Sequence, residues 1–189
     1  MTTSVASVLT KFGILSNDVD SVTWPTDERI VWLNEGQLAL VKIKPDAKTK
    51  TASVQLVAGA KQTNPSDCIE IIELRQNNAG GAILPCDRKA LDAFSPNWMK
   101  TPVASTVKHY MDDPQPETFY VYPAQNATPA LVVMTYVATP SQVGAGNNID
   151  VRDVYADRLV NYMIYRAYSK DSEEGAAQRA AAAYALFKE

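Results

Sequence analysis

The residues with the clearest chemical potential are few. The single histidine, His109, stands mid-strand in Val107-Lys108-His109-Tyr110, where an imidazole could act as a general base only beside a nucleophile. No serine or cysteine motif flanks it, so no catalytic residue is assigned. Asp112, Asp113 and Glu117 are the densest carboxylate group and could ligate Ca²⁺ or Mg²⁺ through oxygen. Pro114 and Pro116 between them fit a solvated loop tip better. Cys68 and Cys86 have no metal-like spacing, so no metal and no cofactor is expected, and in an unexported chain they read as free packing thiols. Gly80-Gly81 and Gly144-Ala145-Gly146 lack the strand-to-helix setting of a phosphate loop. Tyr110, Tyr120 and Tyr122 could stack bases, but nucleic-acid modules pair such rings with a basic surface, and here only Lys108 is near.

The whole-chain balance agrees. With 18 Lys and Arg against 21 Asp and Glu, the net charge is -3, leaving no excess to neutralise a phosphate backbone. The 189 residues suffice for one core, or for one core with a large insertion. Neither a leader nor a run approaching roughly 18 apolar residues is present, so a soluble, non-secreted protein with no membrane partner is expected.

Periodicity divides the chain into a helical beginning, an extended middle and a helical end. Val5, Val8, Leu9, Phe12 and Leu15 predict a helix over about 4–16, stopped by Asn17-Asp18. A second helix is predicted from a Thr26 cap to Pro45, with Ile30, Leu33, Leu40 and Ile43 as one stripe and Trp32, Gly36 and Ala39 as an adjoining face for close approach. Strands are predicted at 51–57, 69–75, 106–110, 118–122 and 131–137 from β-branched and aromatic content. The third and fourth of these form a hairpin. Long connections run from Asn77 to about Thr101, holding a short helix near Asp87–Ala93, and from Pro140 to Asn147. The closing segment predicts a helix with Asp150 as N-cap, Asp153 at N3 and an Ile149–Val154 hydrophobic staple. A last alanine-rich helix, about 172–188, completes a helical hairpin.

Three sets of strings then carry a resemblance. They are Ile30-Val31-Trp32-Leu33-Asn34-Glu35-Gly36-Gln37 with Lys44-Pro45-Asp46-Ala47; Val107-Lys108-His109-Tyr110 with Thr118-Phe119-Tyr120-Val121-Tyr122-Pro123; and Asp153-Val154-Tyr155-Ala156 running to Tyr165-Arg166-Ala167-Tyr168-Ser169-Lys170-Asp171. In this order the chain resembles the head-to-tail adaptor (connector) family of short-tailed bacteriophages across nearly its full length. One departure is Arg29, where a full capping box would place Glu or Gln.

Periodicity and the resemblance agree on an α+β chain: a helical bundle formed by the N- and C-terminal helices (1–47 and 148–189), with an inserted, mainly antiparallel β-rich region (48–147). The resemblance further implies a non-enzymatic virion protein at the head-tail junction, assembled in the host cytoplasm. Its partners would be the portal protein above, a tail or nozzle protein below, and other copies of itself in a closed, dodecameric ring of about twelve. Packaged DNA would pass through the channel without specific binding. Candidate interface residues are Ala176, Ala180, Ala183, Tyr184 and Phe187 on the last helix, Trp98 in the long connection, and Asp112, Asp113 and Glu117 at the hairpin tip. The rival readings are a tail-completion or nozzle-type ring protein and an aromatic-sheet binding module.

Overall fold

The computed structural model describes residues 2–171 and 175–189. The chain is α+β and forms two compact units, one from Met1–Lys48 with Thr139–Glu189 and the other from Thr49–Ala138.

In the first unit, α1 (Val5–Leu15) starts where the Ser4 hydroxyl accepts the Ser7 N–H, and it buries Val5, Val8, Leu9 and Phe12. It stops at Asn17, whose φ of 54° suits an Asn better than most residues. The corner that follows is built on a buried ion pair. Asp18 accepts the backbone N–H groups of Val22, Thr23 and Trp24 at 2.8, 3.1 and 2.9 Å. Arg29 meets the same carboxylate at 2.7 Å and donates through Nε to the Trp24 carbonyl. Helix α2 (Thr26–Ile43) begins one residue earlier than a Thr26 cap requires. Pro25 is the N-cap and Thr26 is already helical, with no side-chain cap bond. Proline's extended ψ of 150° makes the entry, and Asp27 and Glu28 suit the dipole. Ile43, predicted to lie on the buried stripe, is 38% exposed, while Gly36 does receive a close neighbour.

The chain returns to this unit differently from the predicted cap and staple. Val154 is 70% exposed and makes no staple with buried Ile149. Asp150 does not cap a helix: its carboxylate takes the Ser141 N–H and pairs with Lys48. Asp153 instead accepts the Thr3 N–H. The backbone explains the correction. Asn147 accepts the Val5 N–H, Ile149 donates to Thr3, Arg152 donates to Ala47, and Asp150 donates to the Gln37 side chain. With its polar groups so engaged, the 147–152 stretch stays out of the helix. A 3₁₀ turn (Asp153–Tyr155) leads into α4 (Ala156–Lys170), followed by α5 (Ala176–Lys188). The predicted start of the last helix at Ser172 lies outside the described residues. Helix α4 packs on α1, α2 and α5, and ion pairs Arg166–Glu35 and Lys170–Glu28 tie it to α2.

The second unit is two sheets. β1 (Thr49–Gln55), β8 (Leu131–Ala138) and β3 (Cys68–Asn77) form one antiparallel sheet in the order β1-β8-β3. The other runs β2 (Gly59–Thr63), β7 (Thr118–Gln125), β6 (His109–Asp112) and β4 (Leu84–Pro85), with β5 (Val103–Ala104) also on β7. β6 and β7 make the predicted antiparallel hairpin, whereas β4 and β5 pair in parallel. β2 is an additional strand, and its register against β7 shifts beside the stretch holding Pro123, which has no ladder donor. Alternation along β7 serves two cores. Phe119 and Val121 join Leu74, Val132, Met134 and Tyr136, while Tyr120 and Ala124 join Trp98 and Met111. The predicted strand at 106–110 begins later, at His109, because the Asn77 side chain takes both the N–H and the carbonyl of Val107, each at 2.8 Å. Helix α3 (Arg88–Phe94), capped by Asp87, buries no residue fully.

Two stability predictions follow from these buried polar groups. Burial works to raise the Asp18 pKa, but hydrogen bonds from Trp24, Thr23 and Val22, and then Arg29, outweigh it and hold the group at about 2. Its contribution is complete above the ordinary value of 3.8 and is lost as pH falls through about 2. Arg29→Met is expected to cost about 3–5 kcal/mol at pH 7 by leaving the carboxylate buried without its cation. Asp18→Asn should remove this acid-dependent component; urea unfolding between pH 7 and pH 2 measures both. Asn77→Asp keeps the acceptor for Val107 but sets oxygen against the Val107 and Gly81 carbonyls. It should lower the urea midpoint by an amount equivalent to about 1–3 kcal/mol.

Candidate functional site

Chemistry has little footing among the described residues. His109 stacks on Tyr122 at 6.3 Å with 25° between planes, and its Nδ1 is buried without a partner. No group of three or more His, Cys, Asp and Glu side chains among the described residues could hold a metal ion. Cys68 and Cys86 are free. Burial, with Asp67 adding to it, pushes the Cys68 thiol up to about 11, so it stays protonated and weakly nucleophilic.

The acidic hairpin tip separates into two kinds of residue. Asp113 organises the turn: its carboxylate accepts the Thr118 hydroxyl at 2.8 Å and meets Lys61 at 3.1 Å. The Thr118 bond is the largest cause of its lowered pKa. Asp112 and Glu117 are exposed. Trp98 is fully buried, with its indole N–H donating to Asp92 at 2.7 Å and its ring edge-on to Tyr120. It anchors the long Asn77–Thr101 connection within the β unit.

On α5 the candidates also divide. Ala176, Ala180, Ala183 and Phe187 are buried within the helical unit, which is what small side chains permit when two helices approach closely. Tyr184 is 36% exposed and belongs to an aromatic run, 4.7 Å from Tyr165 and 6.0 Å from Phe187 between ring centroids. Tyr162 continues the run at 5.0 Å from Phe187. These rings form one wall of an open groove of about 460 Å³ whose other wall is Glu35, Leu38, Ala39, Lys42 and Ile43 of α2. Beside the groove, Gly36 lets α2 and α4 meet closely at Tyr162: a Cβ there would stand 3.0 Å from Tyr162 Cδ1. Of the α2 wall, the sequence pattern places Ala39 on the close-approach face and Ile43 on the apolar stripe, while Leu38, apolar and off both faces, is the signal that went unread.

The described residues thus form packed cores, buried polar ties and an open aromatic groove suited to contact with a partner. The chain belongs to the SU10 adaptor protein family, whose model matches residues 3–189. This agrees with the resemblance to phage head-to-tail adaptors, a structural and non-enzymatic kind of protein. Comparison with curated proteins finds no match. No helix among the described residues is long and apolar enough to cross a membrane.

Gly36→Ala tests the close approach of α2 and α4. The added methyl must displace Tyr162, so a loss of about 1–3 kcal/mol in urea unfolding is expected, with Tyr fluorescence changed because Tyr162 and its ring neighbours shift together.

Proposed function

We propose that this chain is the subunit of a head-to-tail adaptor ring that joins the portal to the tail and forms part of the DNA channel. The carrying observation is the family match over residues 3–189. In this reading the helices from both ends of the chain act as one bundle seated at the portal, and the β-rich region reaches the tail or nozzle protein. A heterologous contact repeated around a closed, dodecameric ring uses two different surfaces of every copy.

Among the interface candidates, Ala176, Ala180, Ala183 and Phe187 would act by fixing α5 on its own unit. Tyr184 and the half-exposed Leu186 are the large apolar side chains of that helix open to a partner. Trp98 would hold the long connection, and Asp113 the hairpin tip, in shape for contact by neighbouring residues. Asp112 and Glu117 are available to the tail side. The net charge of -3, multiplied around a ring, favours passage of DNA over its retention. The protein would act in the virion at the head-tail junction, after assembly in the host cytoplasm.

Imaging of assembled particles should place a closed ring of this chain between portal and tail. Truncation after Ser169, which removes α5, should abolish tail attachment to filled heads. Stable connectors formed by the truncated chain, or a location away from the junction, would overturn the reading.

A further inference from the structure

Two apolar features of the helical unit lie open, and their shapes are opposite. The convex one is the corner between α1 and α2, where Ile14, Leu15, Val19 and Val22 are 59, 54, 67 and 82% exposed. The backbone beneath is fixed. Asp18 holds three N–H groups of the corner and is itself held by Arg29, and both Asn17 and Ser21 keep positive φ, 54° and 57°. Large apolar side chains displayed on a preorganised loop mark a binding surface, because little conformational entropy remains to be lost on docking.

The concave feature is the groove between α2, α4 and α5, floored by apolar and aromatic side chains. Its lining holds Lys42 and Glu35, and the Glu35 carboxylate is taken by Arg166. Lys42 is exposed and has no ion pair among the described residues, and Lys188 lies over the Tyr184 ring at 4.7 Å. The corner carries the complementary charge, since Asp20, exposed between the two valines, has no ion pair among the described residues either. The two features sit at opposite ends of α2. From Pro25 to Ala39 the helix rises roughly 20 Å, so a copy cannot place its own fixed corner in its own groove, whereas a neighbour can.

Resting on the ring reading above, we infer that the Asp18–Trp24 corner of one copy docks in the α2–α4–α5 groove of the next. Val19 and Val22 pack on Leu38, Tyr165 and Tyr184, and Asp20 meets Lys42. Each copy then uses one corner and one groove, the head-to-tail arrangement from which rings close.

Photo-crosslinking reads this contact directly. With p-benzoylphenylalanine in place of Val22 in the full chain, irradiation of the assembled ring should give covalent dimers whose joined peptides contain residues 35–43 or 184–187. Rings that form but cross-link elsewhere, or not at all, overturn the docking and leave the adaptor reading intact. A chain that forms no ring in any particle overturns both. Charge reversal gives an independent readout: Asp20→Lys and Lys42→Glu should each weaken self-association about three- to tenfold, and the pair together should restore it. Both positions are exposed, so an unchanged urea midpoint certifies the fold, and unaltered association in the single variants refutes the contact.

Discussion

A buried primary amide that clasps the backbone of one distant residue is the interaction on which this chain's shape depends. Asn34 donates to the Val143 carbonyl and accepts its N–H, at 3.0 and 2.9 Å. Asn77 does the same to Val107 across 30 positions. Gln62 clasps Val57, and Gln125 accepts the Ala130 N–H while donating to Pro123. Asn34 and Asn77 each supply one donor and one acceptor, as a strand partner would, to a single residue far along the chain, whereas Gln62 and Gln125 bond within five positions. A buried peptide group left unmatched costs about 1–3 kcal/mol. The amides therefore decide where long connections may lie, and the helices and sheets fill the space so defined.

This device also marks the boundary of what was legible in the sequence. Elements whose own periodicity carries their burial were readable: α1 from Val5, Val8, Leu9 and Phe12, β8 from its β-branched run, and the β6–β7 hairpin from the prolines between its strands. The close approach at Gly36 was readable too, since only a glycine fits beneath Tyr162. The start of α4 was not. Asp150, Asp153, Ile149 and Val154 have the spacing of a cap and staple, and local chemistry favours that reading. Contacts with Thr3, Gln37, Ala47 and Lys48, more than 100 positions away, hold 147–152 out of the helix, and Asp153 and Val154 enter only a 3₁₀ turn ahead of α4. β2 went unseen because Gly59-Ala60-Lys61-Gln62-Thr63 has little β-branched character and pairs through tertiary context.

The candidate site shows the same division. That α5 would pack closely was written in its alanines, and Ala176, Ala180 and Ala183 are buried. What a linear pattern could not separate was inward from outward use. Trp98 and Phe187 have the character of contact residues and are consumed inside their own units, while Asp113 spends its charge on Thr118 and Lys61. The surfaces that remain, the groove along α2 and the corner after α1, arise from residues far apart in sequence or from a loop whose rigidity comes from one buried carboxylate.

The discontinuous helical unit also orders events during synthesis. α1 and α2 leave the ribosome with the apolar faces meant for α4, and their partner is encoded after the whole of Thr49–Ala138. At 5–20 residues per second, that insertion of 90 residues delays them by roughly 5–20 s. The β unit, continuous in the chain and with β1 and β8 paired from Thr49↔Val137 onward, holds its own two ends together and can complete while the helices wait. Its closure brings Lys48 and Thr139 to neighbouring strand ends, so the late C-terminal helices emerge tethered beside the early ones. The insertion thereby converts a contact that is distant in sequence into a short-range search.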